Sequence, residues 1–225
     1  MEKKKRSWFL KTFDPRMWFY DFGKWTAALF IWLWLRTKRI FVDGKKVKGF
    51  SRGRYIIATN HVSLYDHFVV ASALANRRIC NVATTKLKKG PFGWFFTAAG
   101  TIFIDEKHLS VKAIKQVTNT LDRGHIVCMY PEGFVSKDED IKNFKGGVAM
   151  MSAISQADIL PIYLPKSKNI WHRRVAVIGS KIKYEDLFKT KVPTKDEINR
   201  VSELLMEKEL TLENKYKELL NKRAK

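Results

Sequence analysis

Through the middle of the chain, hydrophobic residues come in short, nearly unbroken runs rich in β-branched side chains. These runs, at 55–59 (YIIAT), 79–83 (ICNVA), 101–104 (TIFI), 126–129 (IVCM), 159–164 (ILPIYL) and 175–178 (VAVI), hold few polar residues. A strand with one wet face alternates apolar with polar, so runs of this kind predict strands buried on both faces. Between them, segments 64–75, 111–121 and 148–155 show helical patterning. Strand and helix in alternation predict an α/β fold, a sheet covered by helices, whose ligands sit beyond strand ends. After Pro193, Thr194 and Glu197 have capping-box spacing and begin a last helix, 194–223, with Ile198, Val201, Leu204, Leu205 and Leu212 among many charges.

The amino terminus follows a different pattern. Residues 1–6 are almost purely basic, and the chain then turns aromatic, with Trp8, Phe9, Phe13, Trp18, Phe19, Tyr20, Phe22 and Trp25. The uncharged apolar run at 25–35 covers roughly 16 Å as helix, about half of a ~30 Å hydrocarbon core, so it is too short to span a bilayer. It begins late, is crowded with tryptophan and ends in Arg36, Lys38 and Arg39, which does not fit a cleaved signal peptide. Five of the seven tryptophans fall in the first 34 residues, and Trp between cationic flanks suits a helix lying at the membrane interface. The alternative is an amphipathic helix that covers the domain's own core. The expected organisation is a monotopic helical membrane motif over 1–40 and a catalytic domain over 41–225.

Charge extends this picture. Among 225 residues, 43 Lys plus Arg stand against 22 Asp plus Glu, a net charge of +21. Such a field attracts anionic lipid, phosphorylated substrates or nucleic acid. No helix-turn-helix, zinc-finger or RNA-recognition signature is visible, and the aromatics cluster in the apolar leader instead of interleaving with a basic groove, so no nucleic-acid partner is expected. Two cysteines, Cys80 and Cys128, in separate apolar runs make neither a disulfide scaffold nor a Cys-rich zinc site.

The candidate chemistry lies where strands become helices. Asn60 and His61 end the first buried run, and Asp66 follows five residues after the histidine. On one continuous helix that offset turns the side chains ~140° apart, so they meet only if His61 is in the turn and Asp66 in the first helical turn. A carboxylate on one ring nitrogen fixes the tautomer and leaves the other nitrogen to take a proton from a hydroxyl. Alternatively, Ser63 and Asp66 have capping-box spacing, and Asp66 would then only cap a helix.

Three further segments, GTIFID at 100–105, YPEG at 130–133 and FKGG at 144–147, precede the ILPIYL run. N-H-x-x-x-x-D, G-x-x-F-I-D, P-E-G and the I-x-P-I of that last run resemble in order and spacing the four blocks of the glycerolipid acyltransferase family typified by 1-acyl-sn-glycerol-3-phosphate acyltransferase, over about residues 42–178. The resemblance implies an α/β catalytic domain held to the membrane by an amino-terminal helical element. It implies acyl transfer from acyl-CoA or acyl-carrier protein to a lysolipid hydroxyl, with His61 and Asp66 as the catalytic dyad and 1-acyl-sn-glycerol 3-phosphate as first-choice acceptor. A thioester is already activated, so the reaction needs deprotonation, proximity and one stabilised oxyanion; neither metal nor cofactor is expected beyond the acyl-carrying co-substrate.

The candidate substrate contacts are Asn60, Glu132, Gly133, Lys145, Gly146 and Lys86. Backbone N–H groups at Glu132 and Gly133 would face the oxyanion, and the Glu132 carboxylate would hold acceptor hydroxyls or order the loop. Lys145 with Gly146 would meet a phosphate at a helix start, and Lys86, with Lys88 and Lys89 ahead of PFGWFF, would form a basic rim beside an acyl groove. Two positions depart from the family pattern. Glu106 stands where the family usually carries Arg, and Phe134, Val135 and Ser136 follow P-E-G where it usually reads T-R-S. The acceptor is therefore either the phosphorylated lysolipid, with Lys107, Lys137 or Lys145 substituting for arginine, or a different lipid. A membrane-associated protein at the cytoplasmic face, with anionic lipid as partner, is the expected setting.

Overall fold

A computed structural model describes residues 18–42, 53–63, 65–74, 77–105, 110–133, 144–167, 173–190 and 192–224. Residues 1–6, Trp8, Phe9, Phe13, Glu106, Lys107 and 134–137 lie outside the described residues. In chain order the elements are α1 (Trp18–Leu35), β1 (Lys38–Phe41), β2 (Tyr55–Thr59), α2 (Asp66–Ala73), β3 (Ile79–Thr84), α3 (Thr85–Lys89), α4 (Gly93–Ala98), β4 (Ile102–Ile104), α5 (Val111–Asp122), β5 (Ile126–Met129), α6 (Gly147–Ser155), β6 (Asp158–Tyr163), β7 (Val175–Ile178), α7 (Tyr184–Leu187) and α8 (Lys195–Ala224).

The strands of the described residues form one seven-stranded sheet in the order β1-β7-β6-β2-β5-β3-β4. Every neighbouring pair is parallel except β6 and β7. One antiparallel pair makes the sheet mixed and has a geometric consequence. β7 and β1 begin at the edge where β2, β5 and β6 end, so the carboxyl-terminal end of α1 arrives there too.

The two-faced burial explains why the strands lack alternation. Ile56, Ala58, Val127, Met129 and Ile159 pack beneath α5, α6 and α8. Their immediate neighbours Tyr55, Ile57, Ile126, Cys128 and Leu160 face the other way, against α1 and α2. Because successive strand residues point to opposite faces, both parities must be apolar. Sequence patterning places β2, β5 and β7 at their observed limits and the others within a residue or two, but it passes over β1. Its sequence KRIF, half-exposed and led by two cations, is an edge strand of the kind that charge protects from further pairing. The expected division at residue 40 falls inside this strand.

α1 packs on the domain at both ends. Near its start, Asp21 accepts a two-pronged bond from Arg78, 2.7 Å from Nε and 2.6 Å from Nη2, and Phe19 meets the rings of Trp94 and Phe95 edge-on. Near its end, Leu35 is fully buried and Trp34 meets Tyr65. Trp18, Phe22 and Leu33 are exposed. Among the described residues no helix is long and apolar enough to cross a membrane.

The long helix α8 lays Val201, Leu205 and Leu212 into the core, and on the same stripe sits Glu209, fully buried. Neither oxygen of its carboxyl has a hydrogen-bond partner among the described residues. Burial first, and the neighbouring Glu132 carboxyl second, push the Glu209 pKa well above the usual carboxylate range. The folded protein therefore holds a proton that the unfolded chain releases. Its contribution to stability is complete below the ordinary glutamate value of about 4.3 and is lost as pH rises toward the raised folded value. Glu209→Gln, neutral at every pH, should flatten this loss. Melting temperatures measured from pH 4 to 9 should diverge in favour of the variant as pH increases; parallel curves would show that Glu209 is ionised in the folded state.

Candidate active site

The site is built on the edge where β2, β5 and β6 end. β2 delivers Asn60, which is buried and clamps the neighbouring strand: its Nδ2 donates to the Leu164 carbonyl (2.9 Å), and the Leu164 amide donates to its Oδ1 (2.7 Å). The reciprocal pair fixes the backbone just before His61. Asn60 therefore positions the loop, and both ends of its amide are engaged in doing so.

His61 lies in the loop after β2, and Asp66 is the first residue of α2, two residues after the start of the 64–75 segment that patterning predicts as helix. The His61 ring Nδ1 stands 2.8 Å from Asp66 Oδ2. The same oxygen accepts the backbone N–H groups of Val62 and Ser63, each at 2.8 Å. Asp66 thus both orients the imidazole and ties the loop, which merges the two alternatives that spacing left open. With Nδ1 donating to the carboxylate, Nε2 is the nitrogen left with a lone pair. Asp66 is buried, while the His61 side chain is 20% exposed, so the acid is shielded and the ring is reachable.

The strand next door braces the ring. Tyr130, at the end of β5, stacks on His61 with centroids 4.1 Å apart and planes inclined by 25°. Burial above all, with Cys128 and Asp66 adding to it, raises the Tyr130 pKa well above 10, so its phenol stays neutral. Burial likewise pushes the Cys128 thiol up to about 12. Cys80 and Cys128 are both buried and outside any disulfide among the described residues, and the raised pKa keeps Cys128 from presenting a thiolate nucleophile.

After Tyr130 the chain turns sharply, with Gly133 at φ +75°. The Gly133 amide donates to the Tyr130 carbonyl at 3.0 Å. That bond corrects the expectation that the Gly133 N–H faces an oxyanion: the turn itself uses it. Glu132 is 1% exposed, a burial that suits ordering the turn better than holding an acceptor hydroxyl. A Cβ on Gly133 would come within 2.8 Å of Lys145 Nζ, so an exposed ammonium lies directly against the turn. The Lys145 amide donates to the Pro131 carbonyl at 2.9 Å. Gly146 precedes α6 and allows close approach to α8, since a Cβ there would lie 2.4 Å from Ile198.

The edge therefore gathers Asn60, His61, Asp66, Glu132, Gly133, Lys145 and Gly146. Lys86 stands apart on α3, exposed, on the far side of β5 from β2. Its neighbour Lys88 sits over the Phe103 ring at 5.8 Å. Sequence reasoning missed the stacking role of Tyr130, whose signal was its place at the head of the P-E-G block. It also missed Leu164, which carries no signal because only its backbone is used. Among the described residues no group of His, Cys, Asp and Glu is arranged to hold a metal ion.

A family model described as acyltransferase matches residues 39–165. The chain is similar to the 1-acyl-sn-glycerol-3-phosphate acyltransferase of Cocos nucifera, 25% identical over 180 residues that make up 77% of this chain and 57% of that protein. It is also similar to the protein of the same name from Borreliella burgdorferi, 26% identical over 156 residues, 66% of this chain and 60% of that protein. The matched regions thus span about three fifths of these relatives. Among solved structures, the 1-acyl-sn-glycerophosphate (LPA) acyltransferase PlsC from Thermotoga maritima shares the fold, with a TM-score of 0.58 over 95% of this chain and 97% of that one at 16% identity.

Proposed function

Because the chain belongs to the acyltransferase family, we propose that it transfers a fatty acyl group from acyl-CoA or acyl-carrier protein to a lysolipid hydroxyl, with 1-acyl-sn-glycerol 3-phosphate as preferred acceptor. The observation that carries this reading is the 2.8 Å contact between His61 Nδ1 and Asp66 Oδ2 at the sheet edge. His61 Nε2 takes the proton of the acceptor hydroxyl as its oxygen attacks the thioester carbonyl. The tetrahedral intermediate then expels the thiolate, which recovers the proton from the imidazolium. Oxygen gains the acyl group, sulfur leaves as thiol, and no protein nucleophile is acylated. The test is incubation of the full chain with labelled acyl-CoA and acyl-carrier protein against a panel of lysolipids. Ester formation with at least one lysolipid is expected; none with any pair would sink the reading.

The reaction needs both lipids at one surface, and the reading includes attachment to the cytoplasmic face of a membrane by the amino-terminal segment. Trp18 and Phe22, exposed on α1, and Phe92 and Trp94, exposed around α4, support it, because the Phe19 ring joins these two segments. Lys86, Lys88 and Lys89 are exposed nearby in sequence, where they favour anionic lipid. Removing whole α1 would break the Asp21–Arg78 pair and take the buried Leu35 out of the core, so point changes test the idea better. Trp18→Ser with Phe22→Ser should lower sedimentation with phosphatidylglycerol vesicles on the order of tenfold, without lowering the melting temperature. Unchanged sedimentation would contradict attachment through α1.

A further inference from the structure

We propose that Arg174 is the anion contact of this site and receives the phosphoryl group of the acceptor, an inference that rests on the acyl-transfer reading above. Arg174 is 8% exposed. Its Nε is sealed from solvent without an acceptor, and no carboxylate among the described residues pairs with its guanidinium. Arginine carries its charge permanently, and buried charges in folded proteins are paired or hold a ligand. Among the described residues Arg174 has no carboxylate partner of this kind.

Its position says which anion. Arg174 directly precedes β7, the strand antiparallel to β6, so it enters the sheet at the edge where the dyad stands. A narrow crevice there is lined by Ser63, Tyr65, Asp66, Leu164, Pro165 and Arg174. The Asp66 oxygen nearest the dyad already accepts from His61, Val62 and Ser63. The same corner is tied to the end of α1 and to β1. The Arg174 amide donates to the Leu35 carbonyl (2.9 Å), Lys38 N–H to the Arg174 carbonyl (2.8 Å), and Arg173 Nε to the Arg36 carbonyl (2.8 Å). The first two, both backbone bonds, fix where the Arg174 side chain starts.

A guanidinium fork matches two phosphoryl oxygens at once, which a rotatable ammonium such as that of Lys145 cannot do. The sequence lacks arginine at both positions where its family resemblance leads one to expect a phosphate partner, and Arg174 supplies one from a different strand. A dianion seated here would lie beside the acid that orients His61, placing the acceptor's glycerol hydroxyl toward the ring.

The experiment compares wild type, Arg174→Met and Arg174→Lys in the full chain. Initial rates are measured with 1-acyl-sn-glycerol 3-phosphate and with 1-monoacylglycerol, using acyl-CoA and its 3′-dephospho analogue as donors. Expected for Arg174→Met is a fall of at least about tenfold in the ratio of kcat/KM for the phosphorylated over the unphosphorylated acceptor, carried mainly by KM. The lysine variant, which keeps stem and charge, should show the same split at smaller size and carries the test if the methionine variant does not fold. An unchanged ratio would overturn the proposal while leaving acyl transfer intact. So would a loss that vanishes with the dephospho donor, since the anion would then belong to the donor. Absence of transfer by the wild type to either acceptor would overturn the functional reading itself.

Discussion

His61→Ala should lower kcat for acyl transfer by roughly three orders of magnitude while the protein stays folded. A positioned general base contributes roughly 10²–10⁴ to such a reaction, and among the described residues no second group is placed to replace it. Burial keeps the Tyr130 phenol neutral and the Cys128 thiol protonated. The imidazole sits on the surface side of its Asp66 contact and touches Tyr130 by stacking, so its removal opens space toward solvent more than toward the core. Initial rates with saturating acyl donor, beside a thermal melt, check both halves. Rates within tenfold of wild type would remove His61 from the mechanism.

Asp66→Asn should lower turnover by roughly two orders of magnitude or more. One oxygen of Asp66 receives three donors, the His61 ring and the amides of Val62 and Ser63. An asparagine carbonyl in that place still accepts all three but lacks the charge that steadies the imidazolium. Its amide in that place instead opposes the two backbone N–H groups and donates to Nδ1. The ring must then carry its proton on Nε2, the nitrogen that has to accept one. The loop should survive with a loss of about 1–3 kcal/mol, the usual scale for charge-assisted bonds reduced to neutral ones. A folded variant with lost turnover identifies orientation as the role of the carboxylate. A variant that melts early, yet turns over normally while folded, would reduce Asp66 to a helix cap.

Much of this architecture was legible because burial on both faces leaves a plain mark: a strand such as IVCM admits no polar residue on either side. The dyad was legible for a related reason, since a five-residue offset has only one local geometry in which the side chains meet. What stayed hidden depends on pairing between distant segments. KRIF looks like the exit of a helix until β7 provides its partner, and nothing local marks it as a strand. The Gly133 amide appears available until the turn closes on the Tyr130 carbonyl. Arg174 is one cation among 43 basic residues; only the antiparallel entry of β7 brings it to the site. Glu209 sits where the helical stripe calls for an aliphatic residue, and only the packed fold shows that burial, with the Glu132 carboxyl beside it, raises its pKa.

The two sulfhydryls offer a practical handle. Both Cys80 and Cys128 are enclosed in the sheet interior, and Cys128 is held in its unreactive form up to about pH 12. Maleimides and similar alkylating reagents should pass the native chain by. A single cysteine introduced on any exposed position would then be the one site to take a fluorophore or spin label, with no need to strip out the natural pair. Conversely, slow alkylation of the natural pair would act as a clock for global opening, ticking only when the sheet comes apart.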